Sequence, residues 1–396
     1  MPAIYPFSGT VQHYAWGGHE YLPKFLRQGN PQDEPWAELW MGAHAKGPGV
    51  LLNEDRDLAE LIASAPEEIL GRKVAERFAE RLPFLFKVLD VREMLSIQVH
   101  PTKKAAEKGF AKEEANGPER DAPDRNYRDD NHKPELGVAL TDFYLLHGFR
   151  SADQISRTLD TVPGWEKLRG HLDKADVKGL YAYVMKADQL EVDDLLEPLA
   201  RQLDKQEFGK SDPAYWAKQA FEQYTVDGHY DRGIFSVYWF NLVHLSPGEG
   251  IFQDAGIPHA YLEGACLELM ANSDNVLRGG LTPKHIDVPE LMRNTRFGEV
   301  LPAKIRPEQQ ADGWNTYPTP APDFELSFRD VPAGEQLAVV SADGPSILLL
   351  MEGSLSGPGK VELTADSRTV FVAADEEFVM QASAPSRVFR ARVGKV

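Results

Sequence analysis

Ser96–Ile97–Gln98–Val99–His100–Pro101 follows the apolar run Leu82–Pro83–Phe84–Leu85–Phe86–Lys87–Val88–Leu89, and the two read together as paired strands. Side chains on a strand alternate faces, so Ser96, Gln98 and His100 point one way while Ile97 and Val99 point the other. One face therefore offers a hydroxyl, an amide oxygen and an imidazole in a row. A half-buried strand could turn that face to water; equally, Gln98 and His100 could hold a metal ion between them. Two other stretches carry similar donors: Asn131–His132–Lys133–Pro134–Glu135–Leu136 and Ile257–Pro258–His259–Ala260–Tyr261–Leu262.

The 396 residues are enough for two or three domains with substantial cores. With 42% hydrophobic and 26% charged residues, the composition argues against wholesale disorder. A net charge of −18 argues against a nucleic-acid or anionic-membrane partner, because the long-range field repels polyphosphate. A small phosphorylated substrate stays compatible, provided a local Lys/Arg cluster overrides that field. The single cysteine, Cys266, excludes an intramolecular disulfide and fits a reducing compartment; its apolar surroundings read as a buried, inert thiol. The opening residues lack a basic region followed by an apolar run, and nothing approaches the ~18 apolar residues of a membrane span. A cytoplasmic protein is expected.

Residues 4–52 give short strand-like pieces broken by glycine and proline, with Trp16 and Trp40 as core or sugar-stacking candidates. The pattern turns helical over 58–81, with Pro66 opening its second piece. After the strands at 84–89 and 95–100, residues 103–130 read as a short helical start and a mixed-charge loop, either a lid or a solvated excursion. Strands return over 136–149. Ser151 suits the N-cap of a helix carrying Ile155 and Leu159, and further helical signals lie at Asp193–Leu203, interrupted at Pro198, and at Ser211–Tyr224. Strands dominate from Ile234, at Phe235–Leu245, Ile251–Asp254 and His259–Leu269, before a short helix at Val288–Arg293. Residues 316–396 form short strands and turns spaced as in an antiparallel barrel or sandwich, with Glu377–Gln381 and Arg387–Val393 as its last two. The predicted fold is mainly β with a helical insertion. It divides into a catalytic β-barrel domain (1–150 and 233–315), a helical domain (151–232) and a second small C-terminal β-barrel (316–396).

Gln98, His100, Glu135 and His259 together supply one amide oxygen, one carboxylate and two imidazoles. That set suits zinc with a position left for water or substrate, and also non-haem iron, whose facial triad is two His and one carboxylate. Lys87 lies within an apolar strand, where a lysine needs a cavity or a partner. Lys133 stands two residues before Glu135, while Arg278 and Lys284 follow in the 273–284 stretch. Glu268, between Leu267 and Leu269, is a carboxylate inside an apolar strand, and that is costly unless it is paired or moves protons. His259, Tyr261 and Glu263 alternate along one strand face.

These stretches, together with Ser273–Asp274–Asn275–Val276–Leu277–Arg278–Gly279–Gly280–Leu281–Thr282–Pro283–Lys284, resemble the type I mannose-6-phosphate isomerases (phosphomannose isomerases), a zinc-dependent family with a cupin fold. The likeness runs from about residue 5 to 293. Val99 and Gly279 stand where the family commonly has alanine, which leaves the ligand positions intact. The resemblance implies cupin-like (jelly-roll) β-barrels and one zinc ion per chain held by Gln98, His100, Glu135 and His259. It makes Arg278 the active-site arginine and places Ser96, Lys87, Lys133, Tyr261, Glu268, Asp274 and Lys284 around a sugar phosphate.

The implied reaction interconverts mannose 6-phosphate and fructose 6-phosphate, moving a proton between C1 and C2 through an enediol or enediolate. It needs a base, a Lewis acid or cation for the developing oxyanion, and a phosphate anchor. Arg278 would steady the enediolate, Glu268 or Lys133 would be the base, and Ser96, Lys87 and Lys284 would hold the phosphate. The expected partner is the small sugar phosphate alone, bound by a monomer. Two other readings use the same residues: a cupin-type non-haem iron oxygenase, and a non-catalytic sugar-binding barrel. The glutamine ligand and the cations Lys87, Lys133 and Arg278 fit the oxygenase poorly.

Overall fold

The computed structural model describes residues 3–394. Its first sheet is organised around the strand His259–Ala271, which is buried along its length except at Glu263 and Gly264. The run of Leu, Ala, Cys and Met flanking Glu268 is the pattern of a strand covered on both faces. Its second half lies between Phe84–Val91 and Glu135–Ala139, antiparallel to both. Gly250–Gln253 extends the sheet beyond Glu135–Ala139, while Glu38–Met41 and Thr10–Gln12 extend it beyond Phe84–Val91. Its first half meets Phe143–Phe149 and, at His259, the short strand Gln98–Val99. Between the two halves the register shifts at Tyr261/Glu263. Gly264 makes this possible: it sits at φ +120°, and a Cβ there would lie 2.4 Å from the Asp142 carbonyl oxygen. The shift turns Glu263 outward to ion-pair with Lys210, so Glu263 does not share the face of His259 and Tyr261.

The second sheet is also antiparallel. Its order runs Glu308–Gln309, Asn315–Tyr317, Glu325–Val331, Glu377–Arg392, Ser346–Ser356, Thr369–Val372, Ile4–Ser8 and Val50–Leu51. Two strands expected near the end of the chain are thus one long strand, Glu377–Arg392. Ile4–Ser8 pairs with Thr369–Val372, which ties the start of the chain into this sheet. The two sheets share one apolar core, in which Phe84, Phe86 and Leu269 of the first meet Ile347, Phe371 and Phe389 of the second. The chain is therefore mostly β with helices, built on two antiparallel sheets.

The helices collect between the two parts of the first sheet in sequence. Ser151 and Gln154 form a reciprocal cap on Ala152–Thr161, and Asp212 caps Pro213–Tyr224. Pro198 does not interrupt Gln189–Leu203, whose face of Leu195, Leu196, Leu199 and Leu203 is buried against the neighbouring helices. The helix Arg169–Lys186 was not foreseen, and Phe235–Leu245 divides into a helix, Ile234–Trp239, and a strand, Phe240–Leu245. The helical core takes in Ile97, Val99 and Leu277 from the sheet. The alternation of the opening hexapeptide therefore holds, with its apolar face on the helices and Gln98 on the other side.

Two expectations are corrected. Phe84–Val91 and Gln98–Val99 are not paired with each other; each pairs with His259–Ala271 at a different point along it. Residues 103–130 are largely exposed, as a solvated excursion would be, but they are more than a short helical start and a loop. They form the helix Lys103–Asn116 and a segment folded back onto it, in which buried Arg125 ion-pairs with Glu113 at 2.9 Å and Glu114 at 2.7 Å. No helix among the described residues is long and apolar enough to cross a membrane.

Candidate metal centre and substrate cleft

Glu135 and His259 each open a strand of the first sheet, and His100 directly follows Gln98–Val99. The three meet in the interior. His100 Nε2 lies 3.3 Å from Glu135 Oε1, and His259 Nε2 lies 3.3 Å from Glu135 Oε2. One donor atom from each residue falls within 4.8 Å of the others. The other ring nitrogens are committed: His100 Nδ1 faces the Asn275 carbonyl at 2.9 Å, and His259 Nδ1 the Ile257 carbonyl at 3.0 Å. A carbonyl only accepts, so both Nδ1 atoms carry the proton, and a neutral ring then presents its Nε2 lone pair to the carboxylate. Burial pushes the His100 imidazole down to about 4, so it is neutral at pH 7. Among the described residues its Nε2 has no hydrogen-bond partner. Two lone pairs aimed at a buried carboxylate repel unless a cation stands among them, so these residues fit a divalent ion. Two imidazoles with oxygen donors are a zinc-type set. Gln98 is cross-strand from His259, which puts its amide on the same side.

The surrounding contacts hold this arrangement. Asn275, whose carbonyl orients His100, is itself fixed: its Nδ2 donates to the carbonyls of Asp129 at 2.8 Å and Asn131 at 2.9 Å, and its Oδ1 accepts from the Arg128 N–H at 2.7 Å. One side chain thereby couples a candidate ligand to the loop leading into Glu135.

Beside the three donors is a recess lined in part by Gln98, Lys133, Tyr261 and Glu268. Lys133 Nζ is 3.2 Å from Glu135 Oε1. Buried Lys87 stands between two carboxylates, with Nζ 3.1 Å from Glu268 Oε2 and 3.1 Å from Glu38 Oε2. Burial alone would push the Lys87 ammonium down, but Glu38 and Glu268 outweigh it and keep it charged. Burial pushes the Glu268 carboxyl up, against the pull of Lys87. Both carboxylates thus hold Lys87 Nζ at the back of the cleft. Lys87→Met should destabilise the protein by about 3–5 kcal/mol, because it leaves two buried carboxyls without their counter-charge. Urea unfolding measures this, and a loss below about 1 kcal/mol would show that the triad carries no net stability.

The recess opens into a cleft of about 620 Å³, with Lys87, Gln98 and Lys133 on the wall of both. Ser96, Asp274, Arg278 and Lys284 line the cleft, joined by Arg128 and Lys46. Asp274 is engaged by Lys46 at 2.7 Å and by His44 at 3.4 Å; despite burial, these contacts hold its carboxyl below the usual range. Arg278 is cross-strand from Gln98, beside the candidate metal centre. Burial and the Arg128 charge push Arg278 down, and burial, Arg278 and Arg128 push Lys284 down. Among the described residues these three cations share the cleft without an ion-paired carboxylate.

The candidate ligands, catalytic residues and substrate-binding residues read from the sequence thus lie together in the recess, the cleft or directly behind them, whereas Glu263 turns away to Lys210. Sequence reasoning missed Glu38, Asn275 and Arg128. Glu38 did carry a signal, since it is a carboxylate in the buried strand Glu38–Met41, the same argument that singled out Lys87.

A buried histidine–carboxylate–histidine set beneath a cation-lined cleft, on a two-sheet scaffold, defines a metal-dependent enzyme class. Residues 4–152 match the family model for the catalytic domain of type I phosphomannose isomerase. The chain belongs to the type I mannose-6-phosphate isomerase family. The mannose-6-phosphate isomerase of Escherichia coli (strain K12) is 40% identical over 380 residues, covering 93% of this chain and 94% of that protein. The human mannose-6-phosphate isomerase is 35% identical over 389 residues, covering 89% and 88%. A crystal structure of mannose 6-phosphate isomerase bound with zinc and yttrium superimposes with a TM-score of 0.89 at 36% identity, covering 99% of this chain and 100% of that one.

Proposed function

We propose that the chain is a zinc-dependent aldose–ketose isomerase that interconverts mannose 6-phosphate and fructose 6-phosphate. The observation that carries this reading is the pair of imidazole lone pairs turned on Glu135 at the inner end of a cationic cleft. His100, Glu135, His259 and Gln98 would hold the ion, which when bound supplies Lewis acidity for a sugar oxygen. The reacting C1–C2 end of the open-chain sugar then occupies the recess, and its phosphate points outward to Ser96, Lys284 and Arg128.

Glu268 is assigned as the base that takes the carbon-bound proton, because it is a buried carboxylate whose proton affinity is raised and whose position Lys87 fixes. Lys133, between Glu135 and the cleft, is assigned to the sugar oxygens, where protons must also be exchanged. Arg278, beside Gln98, steadies the oxyanion that develops in the enediolate. Tyr261 and Asp274 contact sugar hydroxyls. Lys87 keeps a place in the site as the group that orients Glu268.

Three further expectations belong to this reading. The first sheet is a cupin-like jelly-roll barrel whose strands come from within 1–150 and 233–315, apart from Ile4–Ser8 and Val50–Leu51 of the second sheet. The helical part, 151–232, is an insertion into it. Residues 316–396 form a second barrel, to which Ile4–Ser8 adds a strand.

The test is a coupled assay of mannose 6-phosphate conversion before and after chelation. Stripping the metal should remove at least about 99% of the activity, and zinc should restore it. Activity unchanged in protein shown to be metal-free would overturn the reading. The iron-oxygenase alternative requires oxygen uptake, and none is expected.

A further inference from the structure

We propose that Asp231, in the segment joining the helices to the first sheet, is a positioning residue for the phosphate seat. The inference rests on reading Lys284 as a phosphate anchor. Between Arg278 and Lys284 the backbone is strained. Gly280 sits at φ +116° and Leu281 at φ +51°, a left-handed conformation that a leucine keeps only when its surroundings impose it.

Asp231 supplies that imposition. Its Oδ1 accepts the Leu281 N–H at 2.7 Å and the Gly233 N–H at 2.6 Å, and its Oδ2 accepts the Thr282 N–H at 3.1 Å. A half-buried carboxylate gathers these three N–H groups without leaving a donor unmatched. The two backbones also touch. A Cβ on Gly280 would lie 2.5 Å from Gly233 Cα, and one on Gly233 would lie 2.4 Å from the Leu281 nitrogen.

On its other side the same loop is tied to the opening hexapeptide: Gly279 N–H donates to the Ile97 carbonyl at 2.8 Å, and Ile97 N–H donates to the Gly280 carbonyl at 3.0 Å. The loop is therefore stretched between Ser96–Gln98 and Asp231. Asp231 does not line the cleft, yet it fixes where Lys284 stands relative to Ser96.

The experiment is Asp231→Asn in the zinc-loaded enzyme, read by the KM for mannose 6-phosphate, the Ki of inorganic phosphate as competitive inhibitor, kcat and zinc content. Asparagine keeps one acceptor oxygen and turns an NH2 toward a backbone N–H. KM and the phosphate Ki should rise together by about tenfold or more, the scale of one lost charge-assisted hydrogen bond. Zinc content should stay at that of the parent enzyme, and kcat within about threefold of it. Simple electrostatics predicts the opposite sign, since removing a negative charge near a phosphate site tightens phosphate binding. A fall or no change in KM and Ki would overturn the proposal, as would a lower kcat at unchanged KM and Ki, the mark of a smaller folded fraction. If Asp231→Asn does not fold, Gly280→Ala breaks the same contact from the loop side and is held to the same outcomes. Lys284→Ala separates the two ideas. If it leaves the phosphate Ki unchanged, the phosphate-seat reading falls; if it raises Ki while Asp231→Asn does not, only the role of Asp231 falls.

Discussion

His259→Ala should empty the metal centre and lower isomerase turnover by about three orders of magnitude or more. Partners behind a ligand already cost about 10–100-fold in metal affinity when lost, and His259 is placed to bind directly. Its Nδ1 is held by the Ile257 carbonyl, so no other atom of the ring can substitute for Nε2. The same geometry predicts how stability responds. Without metal, the lone pairs of His100 and His259 both oppose Glu135, and removing one of them relieves repulsion. Metal-free wild type and metal-free variant should therefore unfold at closely similar denaturant concentrations. Only zinc should separate them, because an ion stabilises the state that binds it. Metal analysis of the purified variant decides the matter: a full complement of zinc would remove His259 from the ligand set.

Arg278→Ala is expected to lower turnover by about 10²–10³-fold while zinc content stays at the parent level. The side chain is cross-strand from Gln98 and shares the cleft with Lys284 and Arg128, yet it has no ion-paired carboxylate among the described residues. Its charge is thus uncommitted where negative charge grows on the sugar. The division between kcat and KM identifies its main contact. A fall confined to kcat places it on the enediolate, and a rise confined to KM places it on the phosphate. Zinc lost in parallel with activity would show that it only supports the fold around Gln98.

Several of these features were legible in the sequence because period-two alternation is a local property. Ile97 and Val99 are buried in the helical core while Gln98 faces the recess, as the spacing requires. The partners of those strands were not legible. Neighbouring strands most often form hairpins, but here the chain leaves Phe84–Val91 through Arg92–Leu95 and reaches a different stretch of His259–Ala271. Convergence of His100, Glu135 and His259 is equally non-local; only the family resemblance joined them beforehand. The helix Arg169–Lys186 went unseen because Gly170, His171, Asp173, Asp176 and Gly179 dilute any apolar periodicity. Asp231 gave no signal at all. Its work is done through backbone N–H groups of a distant loop, and no residue pattern encodes those.

Pairing of Ile4–Ser8 with Thr369–Val372 has a consequence for how the molecule is made. Ile4–Ser8 must wait for the much later Thr369–Val372 before their part of the sheet can close, and contacts so remote along the chain slow folding. Until then Phe7 lacks its buried seat and the neighbouring strands keep open edges. Stalled or tail-clipped chains should accordingly be the ones that aggregate, whatever the state of their metal ligands.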